Sequence, residues 1–158
     1  MNRPEAKSSR RSGPAKRVAA AFIVQRGDGL RRTGERILIC QRTRHQTFPL
    51  KWEFPGGKIE EGEQPRAALR RELEEELGIE AKVGDEVIRI RHTYSRGGTV
   101  ELRFFLVEEF EGEIENRIFK DVRWVSRQEL RQYDFLDADA GLVEDIARGA
   151  IVSVRSKK

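Results

Sequence analysis

Glu72, Glu74, Glu75 and Glu76 crowd into five residues of a segment that reads as a helix. At 100° per residue, Glu72, Glu75 and Glu76 share an arc of about 100°, whereas Glu74 points the other way. Leu69, Leu73 and Leu77 recur at i, i+4 and i+8 and form an apolar stripe beside Glu76. An ordinary solvated helix sets a Lys four residues after a Glu; here Glu72 faces Glu76. Like charges at that spacing destabilise a helix unless something neutralises them. Arg71 flanks Glu75 and can take part of that role. A divalent cation is the simplest further partner. Ligation by carboxylates alone selects a hard ion, Mg²⁺ or Mn²⁺, and Mg²⁺ commonly bridges to substrate phosphates. On composition alone, a solvated acidic face competes with this reading.

The spacing decides between them. The stretch from Gly57 to Ile79, GKIEEGEQPRAALRRELEEELGI, resembles the Nudix box, G-x5-E-x7-R-E-U-x-E-E-x-G-U with U aliphatic. All nine fixed positions match: Gly57, Glu63, Arg71, Glu72, Leu73, Glu75, Glu76, Gly78 and Ile79. The resemblance implies hydrolysis of a nucleoside diphosphate linked to another moiety, with Mg²⁺ or Mn²⁺. It also implies an α/β (α+β) fold, a mixed sheet between helices with the box as loop–helix–loop.

Within that family the chain is similar to the MutT-type nucleoside triphosphate pyrophosphohydrolases. Arg42, the run Glu53 to Glu60 (EFPGGKIE) and the segment Asp134 to Asp139 (DFLDAD) sit where that subgroup has them. The resemblance assigns the Gly56 carbonyl, Glu72, Glu75 and Glu76 to the metal. It assigns Arg42, Phe54 and Asp139 to the nucleotide, with Asp139 at the base. Glu72 orients or deprotonates the attacking water, Arg71 holds the carboxylates, and Gly57, Glu63 and Gly78 shape the motif. Two departures stand out. Ile118 occupies the place of a further metal-binding glutamate, with Glu113, Glu115 and Asp121 nearby as substitutes. Asp139 replaces a frequent Asn; an ionised Asp only accepts hydrogen bonds, whereas a protonated one also donates. Asp139 can alternatively cap a helix that begins near residue 140. Phe54 also suits a core, and Arg42 a surface strand.

The implied reaction yields a nucleoside monophosphate and pyrophosphate from a triphosphate, such as oxidised 8-oxo-dGTP. A Nudix hydrolase for ADP-ribose, a dinucleotide polyphosphate or CTP is the second reading. A Nudix-fold nucleotide-binding module without turnover is the third; a degenerate box would signal it, and this box is intact.

The elements that must position these groups follow from pattern. Residues 17–25 and 36–42 read as strands, with a glycine-rich turn at 26–34. Residues 43–51 form a loop, and 52–55 a short extended piece that Gly56-Gly57 ends. Gln64 to Leu77 is a helix, with Pro65 in its first turn and Gly78 closing it. Strands at 87–94 and 99–110 flank the turn Ser95-Arg96-Gly97-Gly98, and 118–125 forms another. Ser126 and Glu129 stand at capping-box spacing before a short helix. A last helix carries Leu142, Val143 and Ile146 and ends at Gly149.

The 158 residues are 37% hydrophobic and 37% charged, against about 25% charged in an average protein. The formal charge of +4 belongs to one end. Residues 1–17 hold six basic side chains and Glu5 alone, leaving 25 basic and 26 acidic residues for the rest. Residues 1–16 read as a disordered basic tail, 17–152 as the domain and 153–158 as a short basic tail. The N-terminal tail offers weak nucleic-acid contact; a solvated arm is the plainer reading. The apolar run Val18–Val24 is far below the roughly 20 residues of a membrane span, and it ends in Gln25-Arg26 rather than a small-residue cleavage site. With Cys40 as the single cysteine, a reduced cytoplasmic protein is the default. His45 and His92 lack metal spacing, and Cys40, Trp52 and Trp124 read as packing residues.

Overall fold

The computed structural model describes residues 15–26 and 34–149. The basic N-terminal tail to residue 14, most of the glycine-rich turn and residues 150–158 lie outside the described residues. In chain order the elements are β1 (Lys16–Gln25), β2 (Arg36–Gln41), β3 (Trp52–Glu53), β4 (Gly56–Lys58), α1 (Pro65–Leu77), β5 (Glu80–Lys82), β6 (Glu86–Tyr94), β7 (Gly98–Val107), β8 (Glu109–Glu111), β9 (Asp121–Val125), a 3₁₀ turn (Gln128–Gln132) and α2 (Asp137–Ala147).

β1 is the spine of the main sheet. It pairs in parallel with β7 from Lys16 to Ile23, and β6 completes a hairpin on β7. On its other edge β1 takes β4 near its start and β2 near its end. β2 in turn pairs with β9 and β3. β5 and β8 form a separate two-stranded ribbon.

The central strands are apolar on both faces, as a sheet covered on both sides requires. Ala19, Ala21 and Ile23 of β1 face one way and pack with Leu38, Cys40, Phe105 and the α1 residues Leu69, Leu73 and Leu77. Ala20, Phe22 and Val24 face the other way, towards Ile37, Ile39, Phe54, Phe104 and the α2 residues Leu142, Val143 and Ile146. The mixed sheet between helices is therefore as expected, with period 2 choosing which helix each residue meets. Among the described residues, no helix is long and apolar enough to cross a membrane.

α1 starts at Pro65, and Gly78 closes it in the left-handed conformation (φ 70°), its N–H donating to the Glu74 carbonyl at 3.0 Å. Ser126 and Glu129 form the expected capping box, with reciprocal bonds of 2.8 and 3.2 Å.

Five expectations need correction. Gly56-Gly57 does not end the extended piece; it is strand β4, paired with Ala20 and Ala19. The strand expected over 99–110 is split at Glu108 into β7 and β8, because β8 leaves the main sheet to pair with β5. The strand expected from residue 118 starts at Asp121. Lys16, counted with the tail, is the first residue of β1. Asp139 caps nothing: α2 begins at Asp137 after Leu136, without a side-chain cap bond.

Position 56 of β4 has no room for a side chain. Its φ is 152°, and a Cβ there would lie 2.1 Å from the Ala19 carbonyl oxygen. Gly62, at φ 82°, has open space around it. Gly56→Ala is expected to lower stability in urea unfolding by about 3 kcal/mol through overpacking and strain. Gly62→Ala should lower it by only about 1 kcal/mol, from the backbone term alone.

Candidate active site

The site begins with α1, whose apolar stripe carries Glu76 inward. Glu76 is 8% exposed, and its Oε1 accepts the Gly56 N–H at 3.3 Å. Burial, followed by the adjacent Glu72 charge, holds the Glu76 carboxyl well above the usual carboxylate range. Glu72 lies within hydrogen-bonding reach of it. Glu75 is largely exposed and Glu74 faces solvent, as the helical wheel requires.

Arg71 binds the outer side of this cluster. Its Nε and Nη2 donate to the two oxygens of Glu63, each at 2.8 Å. Its Nη1 donates to Glu72 at 2.9 Å and stands 3.7 Å from Glu75, while Nη2 also reaches the Lys58 carbonyl at 3.1 Å. The guanidinium, with the Glu60 N–H, draws the Glu63 carboxyl down to about 2. Arg71 thereby ties the loop before the helix to the carboxylates on it. Gly57 completes the packing, since a Cβ there would lie 2.2 Å from the Glu72 carboxyl carbon.

Beside β4 opens a cleft of about 480 Å³, within the range of small-molecule sites. Gly56, Gly57 and Glu76 line one part of it, and Arg42, Glu53, Phe54 and Asp139 another. Arg42 Nη1 donates to Glu53 at 3.0 Å, and its Nε donates to the Thr47 carbonyl at 2.8 Å. Glu53, mostly buried, has its carboxyl raised by burial against the lowering pull of Arg42. Phe54 lines the cleft and is also core, stacked on Phe135 and edge-on to Phe22. Asp139 is 4% exposed, and burial, with Glu53 as a lesser cause, pushes its carboxyl up to about 8.

The structure thus brings together Arg42, Phe54, Gly56, Gly57, Glu76 and Asp139 at one cleft, with Glu63, Arg71, Glu72 and Glu75 along its α1 side. Gly78 stands apart, at the far end of the helix. Glu113 is exposed, Glu115 pairs with Arg117 at 2.8 Å and Asp121 with Arg123 at 2.9 Å. The cleft is lined at this segment by Ile118 and Phe119 instead. His45 is exposed, His92 packs edge-on to Tyr94, and Cys40 is buried.

Phe48, Glu53 and Tyr94 are among the lining residues that the sequence did not single out. Glu53 stood inside the EFPGG run and had a positional signal. Phe48 and Tyr94, in a loop and at a hairpin end, had none.

The NUDIX domain family matches residues 15–146, nearly the whole described chain. The chain belongs to the Nudix family. The CTP pyrophosphohydrolase of Escherichia coli is 39% identical over 127 residues, which cover 80% of this chain and 87% of that protein. The 8-oxo-dGTP diphosphatase of Haemophilus influenzae is 37% identical over 122 residues, covering 77% and 89%. The solution structure of the E. coli ORF135 protein superposes with a TM-score of 0.69 at 34% identity, covering 92% of this chain and all of that one. The protein is therefore a MutT-like Nudix hydrolase, and Nudix hydrolases generally use divalent metals.

The residues present suit such an ion. Among the described residues, no three His, Cys, Asp or Glu groups form a ready-made cage. A buried carboxylate beside a second one instead matches Mg²⁺, which takes one or two carboxylates and completes its sphere with water and phosphate oxygens.

Asp139 generates a stability prediction. Its carboxyl titrates near 4 unfolded and at about 8 folded, so the native state holds the extra proton between these values. Stability then falls as pH rises through that window, and the loss is complete above about 8. Asp139→Asn should flatten this slope, raising the melting temperature at pH 7–8 by at least about 3 °C and leaving pH 4 nearly unchanged. Thermal unfolding across pH 4–9 checks it.

Proposed function

We propose that this Nudix hydrolase splits a nucleoside triphosphate into the monophosphate and pyrophosphate, using Mg²⁺ or, in its place, Mn²⁺. The observation that carries the reading is the buried Glu76 carboxylate, set against Glu72 with one N–H donor and no cationic side chain of its own among the described residues. Ionising such a group is costly unless a cation joins it. Glu72, Glu75, Glu76 and the Gly56 carbonyl would hold that ion. When bound, it neutralises phosphate charge and lowers the pKa of a coordinated water.

The protein's own groups do the rest. Glu72 orients the water for in-line attack on phosphorus or takes its proton. Arg71, saturated by Glu63 and Glu72, keeps that carboxylate in place rather than touching substrate. Arg42 and Phe54 line the nucleotide end, where Asp139 meets the base.

The names of the relatives, a CTP pyrophosphohydrolase and an 8-oxo-dGTP diphosphatase, support a triphosphate over ADP-ribose or a dinucleotide polyphosphate. They leave two bases in view, CTP and 8-oxo-dGTP. Asp139 bears on the choice. With its carboxyl at about 8 it is neutral at pH 7, and it then offers a donor and an acceptor as Asn does.

Pyrophosphate release from CTP, GTP, ATP and 8-oxo-dGTP tests the function. EDTA should abolish it and Mg²⁺ restore it. Glu76→Gln or Glu75→Gln should lower kcat by roughly 10²–10⁴. Glu74→Gln should change little; equal damage from it would refute the face assignment. Persistent hydrolysis in EDTA would overturn the metal.

A second measurement addresses base choice. The ratio of kcat/KM for CTP to that for 8-oxo-dGTP should shift in the wild type as pH rises through about 8, when Asp139 loses its donor. In Asp139→Asn it should match the wild type at pH 7 and stay flat. A ratio unaffected by both changes would remove Asp139 from the base.

A further inference from the structure

The loop at residues 43–51 carries two non-glycine residues in the left-handed region, Phe48 at φ 52° and Leu50 at φ 63°. A residue with a Cβ resists that conformation, so the surroundings must impose it. They do so with four hydrogen bonds. Arg42 Nε donates to the Thr47 carbonyl at 2.8 Å, and the Arg42 N–H to the Lys51 carbonyl at 2.9 Å. Gln41 Nε2 donates to the Leu50 carbonyl at 3.0 Å, and the Thr43 N–H to Gln46 Oε1 at 2.8 Å.

The imposed turn sets the Phe48 ring on the Tyr94 ring, with centroids 4.5 Å apart and planes 28° from parallel. The Tyr94 hydroxyl accepts the Ala138 N–H at 3.4 Å, one residue before Asp139. One pair of rings thus joins the loop, the end of β6 and the start of α2, at the Asp139 end of the cleft. Both rings line that cleft. Phe54 and Phe135 stack within the core cluster, but Phe48 belongs to neither core cluster. A strained loop that delivers an aromatic ring to a cleft wall, and not to the core, serves whatever the cleft holds.

We propose that Phe48 and Tyr94 form an aromatic wall that packs against the base of the nucleotide, with Phe48 the member that determines affinity. The proposal rests on the reading of the cleft as a nucleotide site. Every base has a π surface, so such a wall holds bases of any identity. It supplies affinity, while the edge facing Asp139 supplies choice.

The test compares wild type, Phe48→Ala and Phe48→Trp, each confirmed folded by its melting temperature. Calorimetry with CMP, GMP and ribose 5-phosphate in Mg²⁺ measures binding without turnover, and CTP and 8-oxo-dGTP kinetics follow. Phe48→Ala should weaken CMP and GMP binding about tenfold, as loss of one base–aromatic contact does. KM for both triphosphates should rise by a similar factor, with kcat within about twofold. Ribose 5-phosphate binding should not change. Phe48→Trp should restore nucleotide binding.

The proposal is overturned if Phe48→Ala leaves nucleotide binding intact, or weakens ribose 5-phosphate equally. It is also overturned if the wild type binds CMP and GMP no tighter than ribose 5-phosphate. A wild type that binds CMP or GMP but hydrolyses none of the triphosphates would sink the hydrolytic reading and leave the wall standing.

Discussion

Everything at the site depends on how closely the Gly56-Gly57 backbone fits between β1 and α1. On one side, Gly56 lies so near the Ala19 carbonyl that a methyl group would overlap it. On the other, Gly57 lies against the Glu72 carboxyl, and the Gly56 N–H donates to Glu76. A side chain at either position would push β4 off β1 or push the carboxylates away. Close packing transmits such a displacement instead of absorbing it. The two glycines therefore fix the distance between the sheet and the acidic face of the helix.

Charge is distributed unevenly around that contact. Arg71 meets the carboxylates that face outward, giving Glu63 two hydrogen bonds and Glu72 one. Glu76, on the buried side, receives a single N–H. The apolar stripe that anchors α1 in the core is what carries Glu76 out of water. The same packing that stabilises the helix thus makes the charged form of Glu76 costly.

The other end of the cleft follows a different logic. There the groups come from segments far apart in sequence: Arg42 after β2, Phe48 from the following loop, Glu53 from β3, Tyr94 from β6 and Asp139 from α2. β3 draws several of them together. Trp52 accepts a bond from Leu136 and donates one to Asp134, so the approach to α2 is paired to the strand that carries Glu53. Low exposure then makes Asp139 a neutral acid, a state that its residue type alone does not suggest.

The acidic half of the site was legible from residue order because its parts are local. Glu63, Arg71, Glu72, Glu75 and Glu76 fall within 14 residues, and helical geometry alone sets which of them share a face. The central strands were legible for a similar reason, since a continuous apolar run states that both faces are covered. β5 and β8 were not, because each is three residues long and exists only through pairing with the other. The glycine pair looked like a strand breaker, as glycine usually is; only the nearness of Ala19 turned it into strand β4. Asp139 was legible as a base-contact candidate with a helix cap as the alternative; the start of α2 at Asp137 removes the cap and leaves the side chain buried in the wall. The Phe48–Tyr94 pair joins residues 46 positions apart and leaves no periodic trace. Local geometry and side-chain chemistry determined the box. Long-range packing decided where the second half of the cleft lies, and which of its carboxyls keep their protons.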